Sequence, residues 1–565
     1  MRKVATTVFV LILSGLGTLT TTAAPKPADQ ARTMSDVIDR VITNENRASQ
    51  QIRQYSPLVE TYIQNLKPDK DLGYAPAGDK YFLGRADFSK GVSLVSLTDS
   101  NGKGKKIFGS IGNFFSFALQ FVPDGFLQMI FIDTNGFDKQ HYKFDYVRRE
   151  FLGEVRCLVF DVTPQEKSGK GRFLGRIWVE DQDYNIVRFN GAYSGSGHSS
   201  WWFHFDSWRA NVQPGVWVPS FVYSEEKDVH YNLSRKLDFK AQTRLWGYNL
   251  GHASQEQELS KILVETPVQD DTKTANDLTP VQAQRSWDRQ AEDNVIDRLE
   301  RIGLIAPRGE VDKVLETVVN NLEVTNNIDV EPEVRCRVMT TTTLESYTVG
   351  HTVVLSRGLI DVLPDEASLA TIVAHELSHA ILGHRLDSTY AFFDQLLIED
   401  KETFRHFGFA RTIDEEKAAN AKAIQILNNS PYKNQLGNAA LFLTALATRE
   451  KEIPNLISPH LGDRVPVIGE LRSAMPADAD VKKNQQTITA LPIGGRVKLD
   501  PWNDRLELIK SKPVGAVAER EKMPFEVTPF MPYLTRYGAE AAKPIAASAA
   551  QPANPRTGES APGKP

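Results

Sequence analysis

Residues 371–384 read TIVAHELSHAILGH, an apolar run long enough for a helix that also carries His375, Glu376, His379 and His384. A helix apolar on most of its faces has to lie inside a core, because only burial holds it. Imidazoles and a carboxylate in such a place are costly unless something pairs with them. Any fold open to this chain must therefore bury the helix centrally and give its polar residues a partner. Pro364, Asp365 and Glu366 mark its start. At about 100° per residue, His375 and His379 lie one turn apart on one face, where both rings can meet one cation. Glu376 projects about a quarter-turn away, poorly placed as a third ligand and suited to act as a general base. His384 falls about 180° from His375 and cannot complete the site from the same helix.

Two imidazoles need a third protein ligand, with one position left open for water. A second helix-forming stretch, TIDEEKAANAKAIQIL at 412–427, places Asp414, Glu415 and Glu416 in its first turn. Those acids either complement the helix dipole or send one carboxylate to the metal. H-E-x-x-H is the spacing of zinc metallopeptidases, in which the glutamate serves water activation. The longer form H-E-x-x-H-x-x-G-x-x-H fails here, with Gly383 one residue late and His384 one early.

The chain has 565 residues, too many for one core, and the helix sits in only part of it. Arg2 and Lys3, an apolar run at 8–16 and small residues at 22–24 form the pattern of a secretory signal, assigned to 1–24. That run is short for a membrane span; an uncleaved N-terminal anchor is the alternative to cleavage, and no integral span is expected in the mature chain. Residues 25–53 read as linker plus a short helix. From 54 to 265 the texture alternates apolar and polar residues, as in RIWVEDQDYNIVRFNG, with a turn at Asp181-Gln182-Asp183; an antiparallel half-barrel-like sheet is expected. FFSFALQFVPDGFLQMIFI at 114–132 is broken by Pro123-Asp124-Gly125 and reads as a buried helix-turn-strand. Residues 266–284 read as a linker, 285–475 as a mostly helical domain with a small sheet, 476–538 as a docked extension, and 539–565 as a disordered tail. The fold class is thus α+β. A formal charge of −5 over this length gives no bulk pull toward nucleic acid, and no nucleic-acid partner is expected. Cys157 and Cys336 are too few for a disulfide framework.

Over about 285–475 the chain resembles the gluzincin zinc peptidases of family M48, which include CAAX prenyl endopeptidases and HtpX-like and BepA-like proteases. The resemblance rests on HELSHAILGH followed by a second helix of form E-x-x-A-D. Laying EKAANAKAIQILNNSPY on that pattern implies Glu416 as third zinc ligand, with Glu415 the alternative one residue out of register. Asn420 then stands at the family aspartate. ESYTVGHTVVLSRGLI at 345–360 resembles the Asn-Ala-Phe…Gly…V-V-x-x-G-L-L segment, with Glu345-Ser346 for Asn-Ala, and implies an edge strand that pairs with extended substrate. SPHLGDRV at 458–465 resembles H-P-x-x-x-x-R-[IL], with Ser458 at the histidine and Arg464 matched as an oxyanion-stabilising donor. The hairpin at 175–191 resembles the LolA-like lipoprotein-sorting fold.

Together these imply an exported zinc endopeptidase, periplasmic or secreted, acting on peptide or protein. One Zn2+ per chain would be held by His375, His379 and Glu416, with Glu376 and Arg464 catalytic. The alternatives are a catalytically weak metal-binding chaperone, favoured by Asn420, Ser458 and Glu345, and a lipid or lipoprotein carrier led by the β domain.

Overall fold

The computed structural model describes residues 33–70, 73–88, 91–97, 123–134, 136–194, 203–232, 235–249, 280–384, 409, 411–457, 461, 463–464, 497–509, 525–527 and 533–538. The expected signal peptide, most of the 266–284 linker, Ser458 and the 539–565 tail lie outside these residues.

The alternating stretches form ten strands of one antiparallel sheet: β1 (Leu58–Asp69), β2 (Gly73–Asp87), β3 (Ser93–Ser96), β4 (Tyr142–Leu152), β5 (Val155–Pro164), β6 (Arg172–Glu180), β7 (Ile186–Ser194), β8 (Phe205–Gln213), β9 (Val216–Asn232) and β10 (Arg235–Trp246). Their order is β3-β2-β1-β10-β9-β8-β7-β6-β5-β4, so the sheet stays open, with β3 and β4 at its edges. Period-2 alternation sends Val59 and Ile63 of β1 to one face and Leu58 and Tyr62 to the other, and each face has its own core.

One core is closed by α1 (Met34–Gln51) and α2 (Pro123–Gln128). The expected short helix in 25–53 is thus an 18-residue one, capped by Thr33 and Asp36 in a reciprocal capping box. Val37, Val41 and Glu45 recur every four residues on its buried face. Glu45 meets Arg209 of β8 through two hydrogen bonds of 2.7 Å. Pro123 begins α2, and residues 129–132 enter the core without forming a strand, so the expected turn-strand is corrected there, while the expected helix at 114–122 lies outside the described residues.

The opposite face packs on the second half of the chain. That half is built from α3 (Pro280–Ile302), α4 (Glu310–Asn326), β11 (Arg335–Met339), β12 (Glu345–Val349), β13 (Thr352–Ser356), α5 (Arg357–Val362), α6 (Glu366–Leu382), α7 (Ile413–Asn428), α8 (Leu436–Arg449), α9 (Pro454–Ile457) and β14 (Asp463–Arg464). Helix α3 starts at Pro280, inside the expected linker. Trp246 of β10 is fully buried between the halves and its Nε1 donates to Gly303 O at 2.8 Å. Glu60 of β1 accepts from Thr342 N at 2.6 Å and lies 3.7 Å from Arg357, both across the boundary. Asp79 of β2 accepts from the backbone N–H groups of Asn455 and Leu456 at the start of α9, where a helix leaves donors unpaired. Strands β15 (Val497–Leu499) and β16 (Leu506–Leu508) form a small hairpin, and Phe525 and Val527 pair through their backbone with the Gln64 side chain. The molecule is α+β: a large open antiparallel sheet, then a helical region with small sheets.

Candidate metal centre

Helix α6 starts at Asp365, whose side chain accepts from Ser368 N, and is buried along most of its length. It lies against α7, whose inward face presents Glu416, Ala419, Asn420 and Ala423. Alanine at 419 and 423 leaves room for two helix backbones to approach closely, which brings Glu416 to the histidines. His375 Nε2 is 3.2 Å from His379 Nε2 and 3.2 Å from Glu416 Oε2, and His379 Nε2 is 3.7 Å from Glu416 Oε1. All three residues are buried.

This donor set fits a divalent cation. Among the described residues neither Glu416 oxygen accepts a hydrogen bond, although the residue is only 6% exposed, so a buried carboxylate is left facing two ring nitrogens. Atoms spaced this way leave a point roughly 2 Å from each, the Zn–N and Zn–O distance. Among the described residues this is the cluster of three such groups able to share an ion. Glu415 is turned to other work: it closes a capping box with Thr412, accepting from its N–H at 3.0 Å and its hydroxyl at 2.8 Å. Those bonds hold its carboxyl below the usual range.

The other site groups are set by burial. His379 is pushed down to about 2, first by burial and then by the neighbouring His375, so its ring is neutral and keeps a lone pair for coordination. Burial raises Glu376, against the opposing pull of His375 and of two hydroxyls from β12. Ser346 Oγ donates to Glu376 Oε1 at 2.6 Å and Thr348 Oγ1 to Oε2 at 2.7 Å.

Three features differ from the sequence reading or were missed by it. First, His384 is not on the helix. Gly383 takes φ +68°, ending α6 in the left-handed region, and His384 folds back so that its Nδ1 lies 2.9 Å from His379 Nδ1. A glycine directly before the last histidine was the available signal. Second, β12 is not the expected edge strand. The small sheet runs β11-β13-β12-β14, with Glu345 opposite Arg464 and Ser346 opposite Asp463. Glu345 is buried and accepts from Leu461 N, while Arg411 donates to Thr348 O at 2.7 Å and to His384 O at 3.0 Å. The outer side of β12 is thus occupied by this chain. Phe409 stacks on Tyr347 there, with ring centroids 4.5 Å apart. Third, Ser346 was noted only as a departure at the family alanine and Thr348 not at all, although their i, i+2 spacing on a strand puts both hydroxyls on one face. Asn420 is buried one turn beyond Glu416. For Arg464 the structure describes the backbone, opposite Glu345, and not the side chain.

Residues 308–444 match the family model described as Peptidase family M48. That range holds α4 to α7 and the first part of α8, with the two histidines, Glu376 and Glu416. The M48 match supports a metallopeptidase and, with it, peptide substrates. No curated protein matches the chain significantly. One solved structure, a DUF1329 family protein from Desulfovibrio piger, aligns at 10% identity over 40% of this chain and 98% of its own, with a TM-score of 0.20. A score that low carries no argument. Among the described residues no helix is long and apolar enough to cross a membrane.

Proposed function

We propose that the chain is an exported zinc-dependent endopeptidase, with His375, His379 and Glu416 as metal ligands and Glu376 as general base. The observation that carries this reading is the meeting of two buried imidazoles with the buried carboxylate of Glu416, which accepts no hydrogen bond among the described residues, while a second buried carboxylate, Glu376, stands next to His375 in the chain. When bound, Zn2+ supplies Lewis acidity and makes water a competent nucleophile near neutral pH. The chain's own residues do the rest. Glu376 takes a proton from the attacking water on a carboxylate oxygen and gives it to the leaving amine. A carboxyl raised by burial suits a group that must both accept and release a proton in one cycle. His384, behind His379, fixes which nitrogen of that ring carries the proton. Arg464 is assigned to the developing oxyanion on the family resemblance, and export on residues 1–24.

Metal analysis tests the ligand set. Full-length protein is expected to carry about one zinc per chain, Glu416→Ala much less, and Glu415→Ala as much as wild type. Glu376→Gln is expected to keep its zinc and to lose cleavage of fluorescein-labelled casein by at least about 100-fold. Undiminished cleavage by that variant would overturn the reading. The covered outer side of β12 and Asn420 favour a second reading, a metal-holding scaffold with little turnover. It predicts wild type as inactive as Glu376→Gln at equal zinc content.

A further inference from the structure

The two hydroxyls on β12 have no part in the mechanism above, yet they are the groups that hold its base. Ser346 and Thr348 project from the same face of the strand, against α6. Each serves a different oxygen of Glu376: Ser346 reaches Oε1 at 2.6 Å and Thr348 reaches Oε2 at 2.7 Å. Thr348 Oγ1 also lies 3.0 Å from the backbone carbonyl of Glu376, and its single proton goes to the nearer carboxylate oxygen. All three residues are buried, with exposures of 0–1%.

Geometry makes this a clamp rather than an incidental contact. A glutamate carboxylate rotates broadly about its last torsion, and one donor leaves that rotation open. Two donors, one on each oxygen, fix the plane of the group while leaving a lone-pair direction on each oxygen for water. The donors are rigid as well. Threonine is β-branched and stiff at χ1. The strand bearing both is paired with β13 on one side, with β14 at Ser346 on the other, and its Thr348 carbonyl is bonded by Arg411. Ser346 stands where the resembled family pattern has alanine, so this hydroxyl is a property of the present chain.

We propose that Ser346 and Thr348 are positioning residues for the general base, acting through Glu376 and touching neither metal nor substrate. The proposal rests on the hydrolase reading of Glu376. A base held in one plane meets the attacking water and the leaving amine with the same oxygen geometry in every turnover, so losing the clamp slows chemistry and leaves substrate binding alone.

The test compares Ser346→Ala, Thr348→Val, the double variant and Thr348→Ser in the zinc-loaded full chain, with labelled casein as substrate. Each single loss of hydroxyl is expected to lower kcat about tenfold with KM within about twofold, the double variant by more, and Thr348→Ser to recover most of the rate. Zinc content stays at the wild-type level. Wild-type kcat in Thr348→Val and Ser346→Ala would overturn the proposal. A second measurement needs no turnover: thermal unfolding of the metal-free protein in a double-mutant cycle. The Ser346→Ala/Thr348→Val pair is expected to lower Tm at least about twice as far with Glu376 present as in the Glu376→Ala background. Equal drops in both backgrounds would overturn the clamp even if the variants bind zinc poorly. If wild type cleaves nothing while the cycle shows coupling, the clamp stands and the hydrolase reading fails by itself.

Discussion

At the scale of single residues, the site is decided by which polar group has a partner. Glu415 and Glu416 are chemically identical neighbours, but Glu415 is bonded to Thr412, while among the described residues Glu416 accepts no hydrogen bond. A buried carboxylate that accepts no hydrogen bond and faces only neutral imidazoles is costly, and a cation between it and the two rings removes that cost. His384 adds a second layer, because a ring nitrogen held from behind fixes tautomer and orientation for the ligand in front. His384→Ala is expected to weaken zinc binding about 10- to 100-fold while leaving the His375–Glu416 contact in place, as read by competition with a chelator. The two histidines and their glutamate were legible in the sequence, since spacing alone puts them on neighbouring turns. His384 was not, because its place depends on Gly383 leaving the helix, and periodicity extrapolated through a helix end gives the wrong face.

At the scale of elements, β12 and α1 show how neighbours change the meaning of a pattern. ESYTV was recognisable as a strand, but a strand becomes an edge only by what fails to pair with it, and residues more than a hundred positions away pair with β12. Helix α1 was read as short because its composition is polar. Its length is set instead by a capping box at Thr33 and by one buried ion pair to the sheet, Glu45 with Arg209, whose side chains are 2% and 5% exposed. Removing one partner of such a pair leaves a desolvated charge behind. Glu45→Ala is expected to destabilise the protein by about 3–5 kcal/mol, seen as a lower midpoint of urea unfolding. Indifference to that change would mean that α1 is held by its apolar face, Val37 and Val41 with Ile38 and Ile42, and by polar contacts such as Asn46 to Phe137 O.

At the scale of the whole molecule, the sheet and the helical half share a core, so neither is finished without the other. Leu58, Tyr62 and Trp246 of the sheet pack in the same cluster as Leu359, Ile372 and Leu377 around the candidate metal helix. A buried ionic group lies inside that contact. Glu60 meets Arg357, Arg357 meets Asp361 at 3.5 Å, and Arg244 is pushed down to about 9 by burial and by Arg357. The hairpin segment at 497–508 closes the far side, where Asp504 accepts from Gly247 N at 2.7 Å. Burial, with help from Asp500, raises Asp504 to about 7 against the pull of that N–H. Its unfolded value is about 3.9, so between about pH 4 and pH 7 the folded chain holds a proton that the unfolded chain has released. The stability linked to this group is therefore full below about pH 4 and falls as pH rises through about 7. Asp504→Asn keeps an acceptor for Gly247 and tolerates the observed φ of +59°. It is expected to leave stability nearly unchanged at pH 4 and to raise it by on the order of 2 kcal/mol at pH 8, measured by urea unfolding at both.

The sequence by itself determined the local facts: alternation made strands from 58 onward, capping residues started α6 and α7, and a four-residue interval set His375 and His379 over one another. These depend on backbone geometry, which a short stretch carries within itself. The tertiary structure decided which acid completes the cluster, that β12 is covered, that two of its hydroxyls grip Glu376, and that a ten-stranded sheet buries one whole face against the helical half. Each of these depends on groups distant along the chain being desolvated together, and desolvation is a property of the assembled core rather than of any segment in it.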